Sequence, residues 1–143
     1  MIPQKRRNRQ RGQLSANIFR ELWGAVAMLM VLIVIGTADM TTFAQRDAYR
    51  IYEEIGSTEK SLVVLENAGH NVYVDNCPDM IEMFPDLYGM CSDDVWDLDR
   101  AHDLINHFTA AALRSQFYDD PAAADALADG AAAFTGVSMI STP

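Results

Sequence analysis

Residues 22–38 read LWGAVAMLMVLIVIGTA, 17 positions without a charged side chain, and the fold depends on how this run is divided. Taken whole, it follows a basic stretch and closes on Gly36-Thr37-Ala38, so it looks like a secretory leader with small residues at the cleavage positions. It stops just short of the roughly 18 to 20 apolar residues that cross a bilayer. Divided, Leu22–Met30 becomes a lead-in and Met30–Ile35 (MVLIVI) a short β-branched strand. A continuous apolar stretch of that kind is how a strand buried on both faces of a parallel sheet reads.

The downstream sequence favours the strand. Residues 43–56, FAQRDAYRIYEEIG, place Ala44, Ala48, Ile51, Tyr52 and Ile55 on one helical stripe. Thr41 or Thr42 is the expected N-cap, and Gly56 the glycine that ends the helix. After a polar turn, Ser61–Leu65 (SLVVL) reads as a second short buried strand. Strand, helix, strand with so short a crossover implies parallel strands and a right-handed connection. The expected class is therefore α/β.

Chemistry in open parallel sheets collects just beyond the carboxyl ends of the strands. Asp39 lies four residues past Ile35 and His70 five past Leu65, so neighbouring strands bring a carboxylate and an imidazole to one edge. Such a pair is the orienting half of a hydrolytic triad: the carboxylate fixes the ring's tautomer and stabilises the imidazolium. Gly69 is expected to let the chain turn so that the ring faces the site. Each residue also has a plainer role open to it, Asp39 as a cap for the following helix and His70 as a turn residue.

VLIVIGTADMTT, a helix, then SLVVLENAGH together resemble the C-terminal end of the α/β-hydrolase superfamily, in particular the dienelactone-hydrolase-like and platelet-activating-factor-acetylhydrolase-like bacterial esterases. The likeness runs from about Met30 through the loop holding Cys77 and Cys91 into DVWDLDRAHDLINHFTAAAL, which resembles that group's final helix. It implies acyl transfer through a serine ester, a small-molecule ester as substrate, no cofactor, His70 as general base then acid, and Asp39 as its orienter. The family's order is nucleophile, acid, histidine, with the serine in a Gly-x-Ser-x-Gly elbow. No such pentapeptide occurs in the chain; Ser15 is the only serine before Asp39, and Ser138 follows the histidine. The expected architecture is thus the last two parallel strands, crossover helix and final helix of a hydrolase, an incomplete sheet, and little or no ester hydrolysis by this chain alone. A missing N-terminal half, or self-association through the open sheet edge, are the partners that follow.

Charge sets further limits. The net charge is −9, yet residues 1–20 carry six basic side chains (Lys5, Arg6, Arg7, Arg9, Arg11, Arg20) and no acid, leaving 5 basic against 20 acidic groups in the remaining 123 residues. So acidic a body repels phosphate backbones, and no nucleic-acid partner is expected for it. Residues 1–21 read as a disordered basic arm and 22–143 as the partial hydrolase domain, with a cytoplasmic location. The rival is a small secreted or membrane-tethered non-enzymatic protein, residues 1–38 being its signal or anchor.

The other candidate ligands read as structural. His102 and His107, five apart on the final helix, do not share a face, and no His-Glu-x-x-His pattern exists. Asp93, Asp94, Asp97 and Asp99 lack the glycine and distal glutamate of a calcium loop, so solvated acids plus a helix cap are expected, and no metal. Cys77 and Cys91 enclose 13 residues. A disulfide there would contribute about 3 kcal/mol by loop entropy but needs an oxidising compartment; free thiols are the alternative. Pro121–Ala133 reads as a short polar helix or frayed tail, and the last ten residues give no signal.

Overall fold

The computed structural model describes residues 30–74 and 82–142. The basic arm, residues 22–29 of the lead-in and Cys77 lie outside the described residues. Three strands form one sheet in the order β1 (Val31–Gly36), β2 (Lys60–Leu65), β3 (Val137–Thr142). β1 and β2 are parallel, in a register that sets Val31 beside Lys60 and Gly36 beside Leu65. β3 runs antiparallel on the far side of β2. The fold is α/β with a mixed sheet, and the Val31–Gly36 half of the opening apolar run is a strand of it.

β2 is central because its side chains suit both faces. Leu62 and Val64 pack with Ile35 against Ala44, Ala48 and Tyr52, while Val63 and Leu65 pack with Ala101, Leu104, Phe108 and Ala111. The crossover begins with a π-helical turn, Ala44–Ala48, that runs into α1 (Tyr49–Glu54). Neither threonine caps it: the first position is Phe43, whose N–H donates to Asp47 Oδ2 at 3.0 Å. Gly56 follows the helix without a left-handed φ. Instead Lys60 closes the end, its Nζ donating to the carbonyls of Tyr52 and Ile55 at 2.6 and 3.3 Å, where the negative end of the helix dipole favours a cation.

On the opposite face lies α2 (Leu98–Tyr118). Asp97 caps it, accepting from Arg100 N–H at 2.9 Å, and Ala101, Leu104, Phe108 and Ala111 form its buried stripe at helical spacing. Asp119 ends it in the left-handed region, and Asp120 then caps α3 (Pro121–Ala126) while pairing with Arg114. Among the described residues no helix is long and apolar enough to cross a membrane.

β3 is the element that the sequence reading misses. Its inward positions, Val137 and Met139, are buried and alternate with exposed Ser138 and Ile140, the pattern of a strand covered on one face only. Trp96 ties its entry to the rest: the indole N–H donates to Glu66 O at 2.8 Å, and Gly136 packs against the ring so closely that a Cβ would sit 3.1 Å from it.

Candidate active site

Asp39 and His70 meet at the carboxyl ends of the two parallel strands. The loops that carry them are zipped together: Thr37 N–H donates to Leu65 O and Ala38 N–H to Ala68 O, each at 3.0 Å, and Asn67 N–H donates to Thr37 Oγ1 at 2.7 Å. Asn67 takes a left-handed φ of 60° to turn the chain. Gly36 allows the contact, since its Cα faces the carbonyl of Ala68 with no space for a Cβ.

In that frame His70 Nδ1 lies 2.9 Å from Asp39 Oδ2. The Asp39 side chain is 1% exposed and the His70 side chain 48%, so the carboxylate is sealed while the ring reaches solvent. Among the described residues Nε2 has no hydrogen-bond partner. The other Asp39 oxygen accepts from Thr41 and Thr42 N–H at 2.7 and 2.8 Å; Asp39 therefore orders the start of the crossover and holds the histidine at once. Burial pushes its carboxyl up, but the Thr42 amide, the His70 ring and the Thr41 amide together hold it below its ordinary value of 3.8. Tyr73 packs edge-on against His70, with ring centres 6.0 Å apart. Burial and the Asp39 charge push its phenol up to about 12, so it stays a neutral donor.

Asp93 belongs to this region too, although its sequence neighbourhood reads as solvated acids. Its Oδ2 accepts from Gly69 N–H at 2.7 Å, and its Oδ1 from Val95 and Trp96 N–H at 3.0 and 2.9 Å. The spacing to Val95 is that of an Asx turn, a local signal; the bond across 24 residues to Gly69 has no sequence signature. Gly69 is extended, at φ −86° and ψ −173°, so what it supplies is space for the Asp93 carboxylate, which a Cβ would approach to 3.0 Å. Burial raises the Asp93 carboxyl, but the Trp96, Val95 and Gly69 amides together lower it by more, leaving it below its ordinary value.

The remaining candidates are not part of this arrangement. His107 packs edge-on between Phe108 and Phe134, and no acid, histidine or cysteine cluster suited to a metal occurs among the described residues. Cys91 is disulfide-bonded. A polar cleft of about 320 Å³ beside the pair is lined by Ala38, Asn67, Gly69, Asn71, Ser92 and Asp93, among others. A larger hollow of about 480 Å³, bounded by Met30, Lys60, Ser61 and Thr142, is at the opposite end of the strands and has no place in the chemistry of this pair.

Both carboxylates are more acidic in the folded chain than when unfolded, so they stabilise the fold above the ordinary carboxylate range, and that contribution is lost as pH falls through and below it. The denaturant midpoint should be flat from about pH 7 to 5 and drop below about pH 4, with a shallower drop in Asp39→Asn and Asp93→Asn. Equal acid sensitivity of all three proteins would contradict this.

No family model, curated protein or solved structure matches the chain.

Proposed function

We propose that the chain supplies the acid and histidine of a serine ester hydrolase of the α/β-hydrolase kind, with His70 as the proton carrier and Asp39 as its orienter, the nucleophilic serine coming from outside these 143 residues. The observation that supports this best is the 2.9 Å contact between His70 Nδ1 and a buried Asp39 oxygen. With Nδ1 donating to Asp39, Nε2 is left as the basic nitrogen, on the solvent-reaching ring. In that role it takes the serine proton as the acyl ester forms and returns a proton to the departing alcohol.

The edge of β1 fits the same reading. Val31 N–H bonds Glu59 O across to β2, so the alternate residues Leu32 and Val34 turn their backbone groups the other way, where no strand pairs among the described residues. Along this edge runs a groove of about 410 Å³, lined by Met30, Leu32, Val34, Leu113 and Phe117; Leu113 and Phe117 are 51% and 69% exposed. A hydrolase sheet continues from this edge. Gln116 Oε1 now accepts from Met30 N–H at 2.7 Å, and Tyr73 Oη donates to Val34 O at 3.3 Å, so an added strand has to displace both.

The test is complementation. The amino-terminal half of a dienelactone-hydrolase-like esterase, carrying its Gly-x-Ser-x-Gly elbow, is co-expressed with this chain and assayed on p-nitrophenyl butyrate. Turnover above the sum of the separate halves, absent with His70→Ala, is expected; no gain over that sum rejects the proposal.

A further inference from the structure

We infer that Asp93 is a positioning residue for His70, acting through the backbone of Gly69; this rests on the reading of Asp39 and His70 as a catalytic pair. The Asp39 carboxylate is fixed from its own strand, by the turn that it caps at Thr41 and Thr42. His70 has no such local anchor. It opens a single turn of 3-10 helix, His70–Tyr73, with no side chain capping it, and its ring is half exposed. What locates its backbone is the carboxylate of Asp93, which binds the N–H of the preceding residue at 2.7 Å.

Asp93 can do this because it is itself held. Its second oxygen takes the Val95 and Trp96 amides, and the Trp96 indole N–H binds Glu66 O at the start of the same loop. The Glu66–His70 loop is thereby held near both ends by one stretch ahead of α2, residues 93–96. The absence of a side chain at Gly69 is part of the clamp, because a Cβ there would sit 3.0 Å from the Asp93 carboxylate. Asn71 adds a lesser tie, donating to Gly89 O and Ser92 O at 3.0 and 3.1 Å.

Asp93→Asn separates positioning from general support. The amide oxygen still accepts from Val95 and Trp96, but an amino group then faces the Gly69 N–H, donor against donor. The readout is the tautomer of neutral His70 by 15N NMR on the full chain. In the wild type Asp39 holds the proton on Nδ1. The Nδ1–H share should fall by about half or more in Asp93→Asn and in Gly69→Ala. Leu127→Ala, a buried site at the other end of β2 where Ser61 Oγ meets Leu127 O, should lower stability and leave the tautomer unchanged. A wild-type tautomer in folded Asp93→Asn and Gly69→Ala overturns the inference, as does an equal change in Leu127→Ala. A wild-type ring protonated on Nε2 overturns instead the pairing with Asp39 on which it rests.

Discussion

In the complemented esterase, His70→Ala should lower kcat on p-nitrophenyl butyrate by about a millionfold and Asp39→Asn by about ten-thousandfold. The inequality follows from the geometry. On the proposed reading His70 carries the proton, so its loss would remove general base and acid together. Asp39 would only orient, through one oxygen 2.9 Å from Nδ1, while its other oxygen accepts from Thr41 and Thr42. Asparagine can still accept from those two amides, so the crossover stays in place, but it turns an amino group toward Nδ1. The ring must then accept there and carry its proton on Nε2, where it cannot act as base. KM should change little in either variant, since neither side chain is asked to bind the ground state. A His70→Ala loss below about tenfold would mean that another group carries the proton.

Gly36→Ala should cost more than about 4 kcal/mol in chemical denaturation, at the severe end for a single added methyl group. The new Cβ would lie 2.2 Å from Ala68 O and 2.8 Å from Ala68 C. Both are backbone atoms of a residue with no exposed surface, so no side chain can swing aside. That carbonyl also accepts from Ala38 N–H at 3.0 Å; moving it breaks the zipper that brings His70 to Asp39, so site and fold should fail together. Gly56→Ala and Gly89→Ala are the controls. An added Cβ meets nothing within 4 Å at either, and each should stay within about 0.5 kcal/mol of the parent. A Gly36→Ala protein as stable as those two would show that the junction of β1 with the loop after β2 is not as close as described.

Much of this framework is readable in the sequence because it is periodic or punctuated. MVLIVI and SLVVL are largely apolar runs, and Val31–Ile35 and Ser61–Leu65 lie in strands covered by helices; their parallel pairing follows from the helix between them, which carries the chain back along the sheet. The Asp39–His70 contact follows from that pairing, since each residue sits a few positions beyond its strand. β3 is harder to see: two of its six residues, Val137 and Met139, are buried, and the serines and threonine among the others read as a tail. Its place is decided by Trp96 and Gly136, partners 40 residues apart. The cap of the crossover helix is misread for a related reason. Thr41 and Thr42 look like caps, but they lie in a turn that Asp39 caps, and the helix starts after them, at Phe43, through a π-helical turn. Asp93 is hidden among four acids in seven residues, and only the tertiary fold separates the one that holds the histidine loop from its solvated neighbours.

The pairing of Asp39 with His70 is the claim on which the rest depends, and the 15N spectrum of His70 in the uncomplemented chain tests it most directly. Neutral His70 should carry its proton on Nδ1 in the wild type and on Nε2 in Asp39→Asn, because each partner dictates what the facing nitrogen must do. An Nε2–H ring in both proteins would contradict it.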